Sequence, residues 1–213
     1  MTVPLQNRVT PLGDLLAASE RGLVYGNRGC LHDDQGRIRR TYATRRWIAC
    51  RLEFRGRRRR RLMAPGRYTE LFFLDEATAL AAGHRPCAEC RREDYVHFRE
   101  LWSELHSGQG SADAIDDQLH SERLASPRQR RLHETTLGEL PDGAFVLQGS
   151  TPCLLLGSRL LSWSPGGYED AGPIEASRAA RVITPPSLVE LLRRGWRGAV
   201  PLIHPSARTA RSL

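Results

Sequence analysis

Two cysteines separated by two residues carry the clearest chemical signal in the chain. Cys87 and Cys90 lie in the segment RPCAEC, where Pro86 fixes the backbone just before the first thiol. This spacing puts both sulfur atoms on one side of a tight turn, which is half of a tetrahedral zinc site. Dithiol redox chemistry is the alternative for such a pair, but a redox motif begins a helix, whereas here a helix is expected before the pair. The sequence favours zinc and leaves redox chemistry open.

A zinc ion needs about four donors, so two further ligands must come from elsewhere in the chain. Cys30 is the best third ligand because it lies in a glycine-rich turn after a short strand. His32 projects from the same turn and is the natural fourth. His84 competes for this position, or it hydrogen-bonds a phosphate or a neighbouring residue. Cys50 lies on the apolar face of an alternating segment and is predicted to be a small buried hydrophobic residue.

The residues around the cysteine pair show a wider similarity. A hydrophobic pair, a short alanine-rich helix and the run Gly-His-Arg-Pro-Cys-Ala-Glu-Cys follow each other, an order that resembles the second half of the zinc domain of the Ada methylphosphotriester DNA-repair family. The resemblance implies a zinc cofactor and a nucleic-acid partner, DNA rather than RNA. That family carries an earlier close cysteine pair, which this chain lacks, so we expect the zinc site without methyl transfer. The matching residues are Phe72, Phe73, Ala77, Leu80, Ala82, Gly83, Arg85, Pro86, Cys87 and Cys90.

Positive charge is concentrated in one stretch of the chain. The formal net charge is +8, and every basic residue other than histidine is an arginine. Residues 37–61 hold twelve arginines and a single acid, a net charge of +11, so the rest of the chain carries −3. A local basic patch is expected for a protein that binds a polyanion; a solvated surface hairpin is the alternative. The predicted phosphate-binding residues are Arg55, Arg57, Arg58, Arg59, Arg60 and Arg61.

A second group of reactive side chains lies on a predicted helix at 113–124. Asp116 and His120 are four residues apart, and Arg123 follows one turn later, so the three can share a face. A carboxylate that orients a histidine is a common general-base arrangement, and Glu122 adds an acid or a metal ligand. This pattern suggests a metal-dependent nuclease or hydrolase. The alternative is an exposed charged helix with local ion pairs.

Hydrophobic patterns predict the elements that must position these groups. Residues 47–54 alternate as in a half-buried strand, which should return through a hairpin tip at 56–61 into a second strand at 69–74. Asp75 should cap a short helix at 76–82 that leads to the cysteine pair. The other predicted elements are helices at 12–20, 92–106, 113–124 and 188–194, and strands at 143–147, 153–156, 160–163 and 181–184. The mixture predicts an α+β fold.

The chain divides at a glycine- and serine-rich link near residue 107. Residues 1–107 form the predicted zinc module with its basic hairpin, and residues 108–213 a helical link and a small α+β subdomain. No apolar run approaches the roughly 20 residues of a membrane span, and no signal-peptide layout precedes the module, which predicts a cytoplasmic protein without a disulfide framework. The expected function is zinc-stabilised nucleic-acid binding related to DNA repair. An enzyme and a non-enzymatic protein-interaction scaffold remain open.

Overall fold

The computed structural model describes residues 3–56, 61–196 and 202–211. Within these ranges the chain forms fourteen β-strands and five α-helices, so the predicted mixed α+β fold is confirmed. None of the helices in the described ranges is long and apolar enough to cross a membrane.

The N-terminal half is built on a mixed sheet. Its strands are β1 (Gln6–Val9), β2 (Leu15–Ala17), β3 (Val24–Asn27), β4 (Ile48–Cys50), β5 (Leu71–Phe73) and β6 (Arg85–Pro86). They lie in the order β2-β1-β5-β3-β4-β6. The pairs β1–β5 and β4–β6 are parallel, and the others are antiparallel. Strand β6 is only two residues long and forms the edge next to the cysteine pair.

The pairing of β3 corrects the predicted basic hairpin. Tyr25 in β3 lies opposite Cys50 in β4 and opposite Phe72 in β5, so β3 separates the two strands that were expected to pair with each other. Strand β4 ends at Cys50, and no strand occurs in the described residues between it and β5. The arginines at 57–60 lie outside the described residues. Alternation predicted a strand over 47–54, of which only residues 48–50 form β4, and it carries no information about the partner strand.

The short helix before the cysteine pair matches its prediction. Helix α1 (Glu76–Ala81) begins after Asp75, whose carboxylate accepts a hydrogen bond from the backbone N–H of Thr78 at 2.9 Å. Gly83 follows with a φ of +83°, and a Cβ at this position would lie 2.7 Å from the Cδ of Arg123. Glycine is therefore required both by the backbone conformation and by the close approach of that side chain.

Two longer helices follow, and one predicted helix is wrong. Helix α2 (Arg92–Leu105) and helix α3 (Ala112–Arg123) lie where the apolar spacing placed them. The segment 12–20, by contrast, contains strand β2, which pairs antiparallel with β1. A segment of nine residues is too short to distinguish the hydrophobic period of a helix from that of a strand. Pairing with the neighbouring strand β1 decided the conformation.

The C-terminal half contains a second sheet, whose described pairs are all antiparallel. A small hairpin, β7 (Leu124–Ser126) and β8 (Gln129–Arg130), precedes it. The sheet strands are β9 (His133–Thr136), β10 (Phe145–Gln148), β11 (Thr151–Leu156), β12 (Arg159–Ser164), β13 (Gly167–Pro173) and β14 (Ala179–Val182), in the order β13-β12-β11-β10-β14-β9. Helices α4 (Pro186–Arg193) and α5 (Pro205–Arg211) complete the fold. The strands and the helix predicted here are confirmed.

The largest hydrophobic core is shared between the two halves. Leu80 of α1 and Trp102 of α2 belong to the same buried cluster as Phe145 of β10 and Trp196. The predicted boundary near residue 107 falls between α2 and α3, in a segment that contributes little to this cluster. The N-terminal sheet packs through a smaller cluster of its own, which includes Val24, Leu71 and Phe73.

Candidate metal centre

Three cysteines meet at the edge of the N-terminal sheet. The sulfur atoms of Cys50, Cys87 and Cys90 all lie within 4.8 Å of one another, close enough to hold one metal ion. Cys90 is buried, and the other two are half-buried. A tetrahedral ion with sulfur ligands at about 2.3 Å requires sulfur atoms at this kind of separation. Among the described residues, this is the one group of at least three potential ligands found so close together.

The register of two parallel strands explains why Cys50 faces the pair. Strand β4 pairs with β6 so that Ile48 lies opposite Arg85 and Ala49 lies opposite Pro86. Cys50 is the last residue of β4, and Cys87 follows directly after β6, so the same register continued by one residue brings the two cysteines opposite each other. The backbone N–H of Cys87 also donates to the carbonyl oxygen of Ala49 at 2.9 Å. Equivalent positions on adjacent strands point to the same face, so the two thiols lie side by side.

Backbone N–H groups point at the sulfur atoms of the pair. The N–H of Glu89 donates to Cys87 Sγ at 3.4 Å, and the N–H of Arg51 donates to Cys90 Sγ at 3.4 Å. Hydrogen bonds from Cys50 and Cys90 hold the pKa of Cys87 well below its ordinary value, while hydrogen bonding to Cys87 raises that of Cys50. Hydrogen bonds to a thiolate favour the charged form that binds metals.

The centre opens into a cavity. All three cysteines line a space of about 470 Å³ whose other walls are largely apolar. Three thiolates would fill three positions of a tetrahedral ion, and the space borders all three cysteines. Zinc sites with three protein ligands and an open fourth position are typical of reactive centres, whereas closed sites are structural. The other lining residues are Tyr25, Asn27, Ile48, Arg51, Leu52, Phe54, Leu62, Tyr68, Glu70, Phe72 and Glu89.

The structure places the expected third and fourth ligands elsewhere. His32 Nδ1 lies 2.6 Å from the Oγ1 of Thr69, and its Nε2 lies 3.2 Å from the carbonyl oxygen of Ala64. The Cys30 thiol donates to the carbonyl oxygen of His32 at 3.5 Å. Both ring nitrogens of His32 are thus occupied by contacts to the segment 64–69. The structure therefore corrects the expected ligand set. Cys50 lies beside Cys87 and Cys90, whereas Cys30 and His32 do not belong to this group.

His84 has a structural position rather than a place at the metal or at a phosphate. The side chain is fully buried, and its Nε2 accepts a hydrogen bond from Arg28 Nε at 3.1 Å. Its ring lies 4.6 Å from that of Phe73 and 5.2 Å from that of Trp47, between centroids. Burial and the neighbouring Arg28 lower the pKa of His84 well below its usual value, so the ring is neutral. Of the three roles expected for His84, the structure shows the hydrogen bond to a neighbouring residue, Arg28.

Trp47 anchors the strand that presents Cys50. The guanidinium carbons of Arg28 and Arg123 lie 3.9 and 4.0 Å from the centroid of its ring. The indole N–H donates to the carbonyl oxygen of Thr44 at 3.0 Å. Cation–π contacts of desolvated groups are worth about 2 kcal/mol each. The start of β4 is therefore fixed from two sides, three residues before the thiol.

The predicted catalytic row on α3 does not form. Asp116 turns to Arg85 and accepts two hydrogen bonds, from Nε at 2.8 Å and from Nη2 at 2.7 Å. His120 is not paired with it; its Nδ1 accepts from Arg123 Nη2 at 3.1 Å. Burial, with Arg123 and Arg45 nearby, lowers the pKa of His120 to about 4. An imidazole held by a cation has no carboxylate to orient it as a general base.

Glu122 caps another helix instead of serving as an acid or a metal ligand. Its carboxylate accepts a hydrogen bond from the backbone N–H of Ser187 at 3.0 Å and another from the Ser187 hydroxyl. Ser187 lies in the first turn of α4, where backbone N–H groups lack partners within the helix. A carboxylate at this end is stabilised by the helix dipole. The candidates Asp116, His120 and Glu122 thus have three separate structural contacts.

Carboxylates outside the basic stretch neutralise part of its charge. Arg37 and Arg39 both pair with Asp33, at 3.0 and 2.9 Å. Arg45 pairs with Asp117 and Arg46 with Asp113 in exposed ion pairs on α3. Such exposed ion pairs contribute little to the stability of the fold, and their arginines remain accessible to a competing phosphate.

The predicted phosphate-binding arginines lie at the end of this stretch. Arg55 is exposed and its guanidinium carbon lies 4.9 Å from the ring centroid of Phe54. Arg61 is also exposed. The predicted contacts of Arg57, Arg58, Arg59 and Arg60 fall outside the described residues.

No protein-family model, curated protein or solved structure matches this chain. The similarity to the Ada zinc domain therefore stays a prediction that rests on the residues between Phe72 and Cys90.

Proposed function

We propose that this chain is a zinc-binding protein that binds nucleic acid. The observation that carries the proposal is the meeting of Cys50, Cys87 and Cys90 with their sulfur atoms within 4.8 Å. Thiolates are soft ligands that favour zinc over the hard divalent cations. The zinc would hold the end of β4 to the turn before α2 and so stabilise the sheet edge.

The basic stretch supports the nucleic-acid part of the proposal. Residues 37–61 carry a net charge of +11 in a chain whose remainder is acidic. The cavity beside the three cysteines is lined by residues from this same stretch, among them Arg51 and Phe54. A phosphate backbone bound by these arginines would therefore pass close to the metal centre. Phosphate contacts of this kind give affinity without reading the base sequence.

Two finer points belong to the same proposal. A centre of three reduced thiols fits a cytoplasmic location, because the cytosol keeps thiols reduced. A role in DNA repair, with DNA as the preferred partner, rests on the resemblance of the segment from Phe72 to Cys90 to the Ada zinc domain. A nuclease that uses Asp116, His120 and Glu122 is not proposed, since their contacts are structural.

The salt dependence of DNA binding tests the role of the arginines. The variant in which Arg55 and Arg57 to Arg61 are replaced by serine should bind a random duplex more weakly. If half of the six arginines contact phosphates, the log–log slope of affinity against salt should be about −3 for the wild type. The variant should show a shallower slope, of about −1 or closer to zero. Fluorescence anisotropy at a series of salt concentrations gives both slopes.

Two exposed arginines of the C-terminal half, neither of which lines the cavity, provide a control. Arg178 and Arg181 lie on and beside β14, and replacing both with serine should leave the slope unchanged. Zinc content, measured by plasma mass spectrometry, should be the same in all three proteins. Equal slopes for wild type and the serine variant would mean that the arginines form a solvated surface. A protein with no salt-sensitive binding at all would instead fit an interaction scaffold.

A further inference from the structure

We infer that the cavity beside the three cysteines receives one unpaired base of a nucleic-acid strand. The inference rests on the proposed nucleic-acid binding and names the part of the ligand that enters the protein. Three observations support it: the aromatic walls of the cavity, its exposed apolar mouth, and the separation of charge between its inner wall and its rim.

The cavity has the walls that a planar ring requires. Tyr25, Tyr68 and Phe72 form one side, and the ring of Tyr25 lies 5.8 Å from that of Phe72 and 6.4 Å from that of Tyr68, between centroids. Phe54 lies on the lining as well. Unstacked bases are bound by such aromatic faces, whose contact is tolerant of base identity. At about 470 Å³ the space is at the small end of ligand sites and suits a single ring system.

Apolar side chains are exposed at the mouth. Leu52 is 48% exposed and Leu62 is 39% exposed, and both line the cavity. Large apolar side chains that stay in water together around a concavity indicate a binding site, whereas scattered ones need no explanation. A base that enters the cavity would cover both leucines and the rings behind them.

The distribution of charge fits a base inside and a phosphate outside. The inner wall carries the three sulfurs and the carboxylate of Glu70, which accepts a hydrogen bond from the backbone N–H of Met63 at 2.7 Å. A phosphate would be repelled there, but an uncharged ring would not. Arg51 and Glu89 are both exposed on the lining, and Arg55 lies next to it against Phe54, so two arginines face one carboxylate at the rim. A nucleotide satisfies both regions at once when its base points inward and its phosphates stay at the arginines.

Three duplexes of one length test the inference with the zinc-loaded protein. The first is fully paired, the second contains one extra unpaired thymidine, and the third carries an abasic nucleotide at the same bulge. We expect the thymidine bulge to bind about ten-fold more tightly than the paired duplex, a factor within the range measured for stacking of one base. The abasic bulge should bind like the paired duplex, because it keeps the flexible backbone but lacks the ring.

Two variants locate the base, each with a matched control. Tyr68→Ala should abolish the preference for the thymidine bulge, whereas Tyr42→Ala, another half-buried tyrosine but outside the cavity, should keep it. Leu62→Asp, at the mouth of the cavity, should also abolish the preference for the thymidine bulge. Leu5→Asp, at a leucine of similar exposure, should keep this preference. Zinc content should change little in all four variants. The paired duplex serves as the reference for each variant, because the two aspartates add a negative charge that weakens binding of every duplex.

The possible failures are distinguishable. Equal affinity of the wild type for all three duplexes would overturn the inference and leave the proposed nucleic-acid binding intact. A preference that survives both Tyr68→Ala and Leu62→Asp would also overturn it, because the base would then lie elsewhere. Absence of binding to any duplex would overturn the proposed function as well.

Discussion

Replacing Cys50 with serine is expected to remove the bound zinc as completely as replacing Cys87 or Cys90. The sequence alone would predict the opposite, because Cys50 sits in an alternating strand far from the CxxC pair. In the structure its sulfur atom is one of only three potential ligand atoms grouped within 4.8 Å in the described residues. A serine hydroxyl is a poor ligand for zinc at neutral pH, and two thiolates alone would leave the ion with too few protein ligands. Metal analysis of the purified variant measures the loss.

The same change should lower the thermal stability of the protein. When the free zinc concentration is a thousand times the dissociation constant, zinc binding stabilises the folded state by about 4 kcal/mol. For a chain of this size, that corresponds to roughly 8 to 16 °C in the melting temperature. A strong chelator should therefore lower the melting temperature of the wild type by this amount and leave Cys50→Ser almost unaffected. Zinc binding should weaken as the pH falls, because protons compete for the three thiolates.

Variants of the other candidate ligands provide the controls. Cys30→Ser, His32→Gln and Cys153→Ala should each retain one zinc per chain, since none of these side chains lies with the group of three. His32→Gln should lose some stability, because it breaks the contacts to Thr69 and Ala64. Full zinc content in Cys50→Ser, together with loss in Cys30→Ser, would restore the ligand set expected from the sequence and refute the set of three cysteines.

Local signals in the sequence predicted much of the fold. The cap at Asp75, the apolar stripe of α2 and the glycine turns of the C-terminal sheet are each decided within about ten residues, so they can be read from the chain directly. The cysteine pair belongs to the same class, because its spacing alone fixes the geometry of the turn. These predictions agree with the structure to within a few residues at each end.

Pairing over long distances could not be predicted in the same way. The place of Cys50 depends on the register of β4 against β6, where Ile48 meets Arg85 across thirty-seven positions of sequence. Alternation grouped Cys50 with Ile48 on one face of the strand, but it predicted that this face is the buried one. In the structure Ala49 is the buried residue of β4, and Cys50 is half-buried beside the cysteine pair. The expected hairpin failed for the same reason, since β3 lies between its two strands. Nothing within either strand indicates such a partner.

The row of Asp116 and His120 shows how a correct local geometry can still mislead. Helical spacing places the two residues near each other, as predicted, and α3 is a helix at the expected position. Asp116 nevertheless forms a bidentate, almost fully buried ion pair with Arg85, a residue from a different part of the chain. The sequence shows which side chains are available, and the tertiary structure decides which of them meet.

Asp116→Ala should accordingly destabilise the fold rather than remove a reaction. The ion pair with Arg85 is almost fully buried, with side-chain exposures of 5% for the arginine and 2% for the aspartate. Removing one partner of such a pair leaves an uncompensated charge in the interior, at a cost of about 3 to 5 kcal/mol. Arg85 also precedes the cysteine pair by two residues and pairs with β4, so the loss should weaken zinc binding as well. Thermal or urea unfolding measures the first effect and a zinc titration the second.

The next residue of the same helix supplies a matched control. Asp117 pairs with Arg45, but its side chain is 59% exposed, and Asp117→Ala should change the free energy of unfolding by less than about 1 kcal/mol. Replacing both buried partners by Arg85→Met and Asp116→Leu should recover most of the lost stability, because no unpaired charge then remains. A general acid or base could not be restored by two apolar side chains. Similar small effects of Asp116→Ala and Asp117→Ala would therefore contradict the structural assignment and reopen the catalytic one.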